Sequence, residues 1–167
     1  MTEPHGQPDT QYVQAAAEFG EALARLARVY EADPDLRRDL LQDIHLELWR
    51  SLARFAGQCS LRTWVYRVAH NVAISRSLRK RRTNLVSLEE IADLPSAEAE
   101  DLAATDVGNV ARLYVLIRQL LPPDDQVMLL YLEDMDAASI GEITGLSARA
   151  VATRIHRLKA ILARSFA

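Results

Sequence analysis

Five apolar side chains at a strict four-residue interval, Leu36, Leu40, Ile44, Leu48 and Leu52, constrain this chain more than any other feature. Residues spaced this way share one face of an α-helix, and Leu41 and Trp49 widen the stripe. A similar stripe precedes it (Ala16, Phe19, Leu23, Leu26, Tyr30) and another follows (Leu61, Trp64, Val65, Val68, Val72). Asp33-Pro34 separates the first two helices, with Asp33 as N-cap and Pro34 at the first helical position. The segment Ala56-Gly57-Gln58-Cys59-Ser60 separates the second and third. Ala, Leu and Arg are abundant and favour helix, while only 6 Gly and 6 Pro are present. The chain therefore reads as all-α, beginning with a three-helix core.

Charge divides the 167 residues into blocks. Residues 1–82 carry a net +3, residues 83–108 a net −7 with no basic residue, and residues 109–167 a net +1. The middle block loses the long periodicity, although Ser87 to Glu90 can form a capping box. Its Pro95, Ser96 and acidic run read as a solvated, flexible linker. The expected organisation is a disordered tail over residues 1–11, a helical domain over 12–82, an acidic linker over 83–108 and a second helical domain over 109–167.

In that second domain, Val110, Leu113, Ile117 and Leu120 mark a helix that Pro122-Pro123 ends. Asp124 can cap the next helix, which carries Val127, Met128, Leu130 and Tyr131. Ala138 to Thr144 then forms a short helix, opened at Asp136 or Ala137 and closed at Gly145, where a left-handed conformation lets the chain turn sharply. Leu146 can plug the space between helices, and Ser147 can cap the last helix. This is the pattern of a helix-turn-helix, whose second helix enters a major groove. With Val151, Ile155 and Leu158 buried, Arg149, Ala152, Thr153 and His156 face outward. Arg154, Arg157 and Lys159 flank them, and no acidic residue occurs after Glu142. Cations early in such a helix reach base edges, and later ones pair with phosphates. A solvated basic helix on an unrelated bundle is the bland alternative.

Two separate parts of the chain carry a family resemblance. Asp39 to Trp49 (DLLQDIHLELW) resembles the polymerase-binding helix of the extracytoplasmic-function, or group 4, sigma factors of bacterial RNA polymerase. Phe55, Ser60 to Ala69 (SLRTWVYRVA) and Asn71 resemble that family's reader of the promoter −10 element. Leu121-Pro122-Pro123-Asp124, Tyr131-Leu132-Glu133 and Ile155-His156-Arg157 resemble its −35-binding domain. The match spans about residues 15–82 and 110–165.

The resemblance implies a set of residue roles. Asp39, Gln42, Asp43 and Glu47 would meet core RNA polymerase, against the simpler reading of a solvated acidic face. Gly57, Gln58 and Ser60 would form the loop that receives a base flipped out of the non-template strand, where small residues leave room. Arg62, Arg67 and Asn71 would contact that strand, and Arg76, Arg79 and Lys80, with Arg81 and Arg82, the phosphates of adjoining duplex. Trp64 can stack on a base, but its phase in the apolar stripe favours the core. Ser147, Arg149, Ala152, Thr153, Arg154, His156, Arg157 and Lys159 would face −35 DNA. The linker would thread basic polymerase channels, and the resemblance adds an anti-sigma factor as a partner. Three departures prevent transfer of a promoter sequence from relatives: Ser75 lies where an acidic residue is common, Ala152 where a basic one is, and His45 replaces an aromatic.

Other function classes are poorly served. His5, His45, His70 and His156 lack metal-ligand spacing, and no phosphate loop or nucleophile motif is present, so no enzyme, metal or cofactor is expected. Cys59 is a lone cysteine and reads as a passive loop residue in a reducing cytoplasm. No apolar run reaches membrane-spanning length, and Met1 to Gln11 lacks a signal-peptide pattern. Ser60 and Thr63 are hydroxyls that can be phosphorylated or can simply cap a helix. A stand-alone helix-turn-helix regulator remains the rival reading; it leaves the motifs at Asp39–Trp49 and Arg62–Asn71 without a purpose.

Overall fold

The computed structural model describes residues 6–84 and 106–166 of the chain; side chains of residues 6–8, 80–84 and 106–107 are not described. Seven helices and no strand occur among the described residues. They are α1 (Gly6–Tyr30), α2 (Pro34–Leu52), α3 (Leu61–Asn84), α4 (Asp106–Arg118), α5 (Asp124–Leu132), α6 (Ala137–Thr144) and α7 (Ala148–Ser165). Most of the acidic linker expected over 83–108, including the capping box at Ser87, lies outside the described residues.

Helices α1, α2 and α3 pack on one another through the expected stripes. Leu23, Leu40, Ile44, Leu48, Leu52 and Val65 are at most 1% exposed, and burying each such side chain contributes about 1.5–3 kcal/mol. The α1–α2 turn is fixed at both ends. Asp33 accepts hydrogen bonds from the Asp35 and Leu36 amides at 2.8 and 3.1 Å, while Arg37 donates to the carbonyls of Glu31 and Ala32 at 3.1 and 2.9 Å. Arg37 thus places a cation on the carbonyls where α1 ends, where the helix dipole favours it.

Several expectations need correction. The tail expected over residues 1–11 is helical from Gly6 onward. Its hold on α2 is polar, which an apolar pattern cannot reveal: Asp9 accepts from the Trp49 indole at 2.8 Å, and the Tyr12 hydroxyl bonds His45 Nδ1 at 3.1 Å. Trp49 is consequently 45% exposed rather than part of the core, and Leu36 and Val110 also leave their stripes for the surface. Asp124 does not cap α5; Pro123 holds that position without a side-chain bond, because the Asp124 carboxylate is taken by two arginines of α7.

In the second helical group, α5 is the pivot. Asp125 to Leu130 are all buried, as happens when a short helix is surrounded on all sides. It packs on α4, α6 and α7. The two groups also share a core. Val127, Leu130, Met135, Ile140 and Val151 belong to the same continuous apolar cluster as Leu23, Leu26 and Tyr66, and Val29 of α1 sits in a second cluster with Ile117, Met128, Leu129, Leu158 and Leu162.

Candidate polymerase and promoter surfaces

Helices α6 and α7 form the turn that the sequence pattern predicts. Asp136 caps α6 through the Ser139 amide at 2.7 Å, Gly145 ends it in the left-handed region at φ 81°, and Ser147 caps α7 through the Ala150 amide at 3.1 Å. Leu146 packs against the core between the two helices. Gly141 escaped notice in the sequence. A Cβ there would lie 2.5 Å from the Leu146 carbonyl oxygen, so the backbone of the turn crosses α6 where only glycine fits.

On α7, Arg149, Ala152, Thr153 and His156 are exposed, while Val151 and Leu158 are buried. The flanking cations are restrained within their own half. Arg154 and Arg157 donate to Asp124 at 2.6 and 2.9 Å, and the Lys159 ammonium lies 5.6 Å from the centre of the Tyr131 ring. The early part of the helix is exposed without such partners for Arg149 and His156, whereas the later exposed cations Arg157 and Lys159 lean on Asp124 and Tyr131.

The α2–α3 loop forms the second surface. Gly57 adopts φ 77°, and no atom lies within 4 Å of where its Cβ would be, so the loop is open at that point. Gln58 folds back on the loop, accepting from the Ala56 amide at 2.8 Å and donating to the Arg54 carbonyl at 3.2 Å. Ser60 Oγ accepts from the Thr63 amide at 3.0 Å, which caps α3, and Thr63 is buried. The capping reading thus holds for Ser60, whose hydroxyl also donates to the Thr63 hydroxyl at 3.0 Å. Trp64 packs against Phe55 at 5.3 Å and donates to Ser51 at 3.1 Å, in keeping with its apolar phase.

Between α2 and α3 runs a groove of about 600 Å³, lined by Asp43 and Glu47 on one wall and Arg67, Asn71 and Arg79 on the other. It brings the acidic residues of the polymerase-like motif next to the cations of the −10-like motif. Arg76 pairs with Asp43 at 2.9 Å across the same helix pair, and Arg79 donates to the Ser75 carbonyl at 3.4 Å. Asp39 and Gln42 are exposed on α2. The side chain of Lys80 lies outside the described residues.

Arg62 and Arg67 do not point into free space. Arg62 donates to the Glu133 carbonyl, and Arg67 to the Glu142 carbonyl at 3.0 Å. Glu133 itself gathers Arg25 and Tyr66. Sequence reasoning saw Glu133 only as part of a motif; no local pattern signals bonds that span 67 to 108 residues. Burial pushes the Glu133 carboxyl up, but the Arg25 hydrogen bond and charge, with Tyr66 and Arg62, outweigh that and hold it below its ordinary value. Burial and the neighbouring Glu133 charge push the Tyr66 hydroxyl up to about 12.

Residues 16–83 match sigma-70 region 2, and residues 110–162 match sigma-70 region 4. The chain belongs to the extracytoplasmic-function sigma factors. Among related sigma factors, the RNA polymerase sigma factor YlaC of Bacillus subtilis is 28% identical over 129 residues, 73% of this chain and 72% of YlaC. The extracytoplasmic-function sigma factor SigG of Mycobacterium tuberculosis is 27% identical over 165 residues, covering 82% of this chain but only 44% of SigG. Two solved structures share the sigma-factor fold. CnrH, in complex with the cytosolic domain of CnrY, aligns with a TM-score of 0.65 at 23% identity, over 93% of this chain and 86% of CnrH. The sigma factor RpoE of Bartonella quintana, in complex with the anti-sigma factor NepR, aligns with 0.69 at 17%, over 89% and 92%. This sigma factor is a transcription initiation factor that binds RNA polymerase and promoter DNA. A stand-alone regulator would have no use for its region 2 match. No described helix is long and apolar enough to cross a membrane.

Proposed function

We propose that this sigma factor reads −10 DNA with residues 12–82 and −35 DNA with residues 109–167, the acidic segment 83–108 passing between them through the polymerase. The observation that carries the proposal is the pair of separate surfaces that different motifs build. One is the open glycine loop beside the α3 cations; the other is the exposed early face of α7. Gly57, Gln58 and Ser60 border the base-accepting loop, with Arg62, Arg67, Asn71, Arg76, Arg79 and Lys80 along the strand and adjoining duplex. Ser147, Arg149, Ala152, Thr153 and His156 face the −35 groove, and Arg154, Arg157 and Lys159 its phosphates. Asp39, Gln42, Asp43 and Glu47 dock on basic side chains of core polymerase. The site of action is the cytoplasm, where the polymerase works. CnrH and RpoE are each seen with a protein partner, CnrY and the anti-sigma factor NepR, and an anti-sigma factor is proposed here by extension.

Transcription with core polymerase on a promoter library, randomised over both elements, tests the assignment. The unsubstituted protein selects a preferred sequence at both. Arg149→Ala relaxes selection at −35 and leaves −10 selection unchanged. Selection retained at −35, or lost equally at both elements, would remove the assigned role of α7.

A further inference from the structure

Beside the shared apolar core, most polar bonds across the seam between the two helical groups meet at one residue. Glu133, at the C-terminal end of α5, accepts two hydrogen bonds from Arg25 of α1, through Nε and Nη2, both at 2.8 Å. It accepts a third from the Tyr66 hydroxyl of α3 at 3.1 Å, and its carbonyl takes the Arg62 guanidinium. Two parallel N–H bonds from one arginine to a carboxylate are the strongest geometry such a pair adopts. One residue away, Asp134 holds φ 58°, so the backbone turns sharply at the contact. Arg67 adds a second tie, to the Glu142 carbonyl of α6.

The seam is also incompletely filled. A cavity of about 90 Å³ lies directly beside Glu133, lined by Arg25, Leu26, Val29, Tyr66, His70 and Tyr114. His70 is 1% exposed, bonds Tyr30 through Nδ1 at 3.1 Å, and has no partner for Nε2. Gaps of this size are few in a protein interior, and this one lies on the seam between α1, α3, α4 and α5.

Separation is a geometric necessity. Elements named −10 and −35 lie about 25 base pairs apart, roughly 85 Å along duplex at 3.4 Å per pair. A compact chain of this length has a radius of gyration of about 15 Å. Two readers packed side by side cannot occupy both elements.

We infer that Glu133 is a latch: by clasping Arg25 and Tyr66 it holds the sigma factor closed, and the closed state keeps Arg62 and Arg67 from single-stranded DNA. In a two-state equilibrium, affinity for a ligand of the open form falls in proportion to the open fraction. Loosening the latch therefore raises DNA affinity. The DNA half of the inference rests on the assignment of Arg62 and Arg67 to the −10 strand, whereas the latch itself does not.

The experiment uses the full chain with Cys59→Ser, Arg38→Cys and Ala160→Cys, spin-labelled at the two exposed positions and measured by pulsed dipolar spectroscopy. Arg25→Met and Glu133→Gln are introduced separately, so that a folding defect in one leaves the other informative; the helical circular dichroism signal checks both. The expected result is a narrow distance distribution in the parent and a longer, broader one in each latch variant. Affinity for fluorescein-labelled single-stranded DNA of random sequence rises about tenfold, equivalent to 1.4 kcal/mol. Arg25→Met is the sharper variant, since loss of a cation weakens DNA binding by charge alone. Unchanged distances in both variants overturn the latch. Longer distances with no rise in DNA affinity keep the latch and overturn the withholding of Arg62 and Arg67.

Discussion

The two regions proposed to face DNA treat their cations differently. In the C-terminal half, Arg154 and Arg157 are restrained by Asp124 of the same half, and the early face of α7 stays exposed. In the N-terminal half, Arg62 and Arg67 are held by the opposite half, and Arg76 is held by Asp43 of the polymerase-like helix. In the first arrangement the cations find their carboxylate within one half. In the second they are bound across the seam or to another helix, and become available only when those contacts are given up. The difference teaches that the same residue type, arginine on a helix next to DNA, can be preset or gated according to where its acceptor sits in the chain.

The largest expected effect breaks the preset reader. Gly141→Ala forces a methyl against the Leu146 carbonyl at 2.5 Å, and because the obstacle is backbone, the α6–α7 turn must shift. Overpacking of this kind costs about 1–3 kcal/mol. Chemical denaturation should show that loss, and the library assay should show −35 selection abolished with −10 selection kept. An Ala variant of parental stability and selectivity would mean that the turn is more compliant than its geometry implies.

The next effect separates two groups that line the same seam cavity, His70 and Glu133, by pH. Burial lowers the His70 pKa to about 3 from an ordinary 6.5. The unfolded chain therefore binds more protons than the folded one between those values, and stability falls as pH drops through that window. At pH 5 the loss is on the order of 2 kcal/mol. Glu133 behaves otherwise. Its folded pKa lies below the ordinary 4.5, so its contribution is present above that value and is lost as pH falls beneath it. Urea unfolding from pH 7 down to the ordinary carboxylate value should slope for the parent, keep the slope in Glu133→Gln, and flatten in His70→Gln. A slope that survives His70→Gln assigns the titration to another group.

What could be read from the sequence follows the range of the interactions. The helices, the Asp33 and Ser147 caps and the left-handed Gly145 were legible, because each depends on residues within a few positions. So was the α7 face, since burial of Val151 and Leu158 fixes which side chains point away. The helical start at Gly6 was not, because it is anchored by polar bonds from Asp9 to Trp49 and from Tyr12 to His45. Nor was Glu133, whose partners lie 67 to 108 residues away. Gly141 reads as an ordinary weak helix residue until the turn that crosses it is seen. The −10 set is assigned by family resemblance, whereas the engagement of Arg62 and Arg67 with the other half is a property of the tertiary seam that no local pattern carries.

The smallest expected effect tests whether the C-terminal cations are restrained rather than merely placed. Asp124 is 20% exposed and its arginines 33% and 57%, so solvent screens the pairs and their joint worth to stability is about 1 kcal/mol or less. Asp124→Asn should therefore barely move the denaturation midpoint. It should, however, free Arg154 and Arg157 to neutralise phosphates. Every additional phosphate neutralised steepens the dependence of log affinity on log salt by about 0.9. Fluorescence titration of the full chain with non-specific duplex across a salt series reads that slope directly. A steepening of about two such increments means that Asp124 withholds both arginines from the duplex, and of one increment that it withholds one of them. An unchanged slope means that they already leave Asp124 when DNA arrives, and the C-terminal reader is then preset in its base-facing surface and in its phosphate contacts alike.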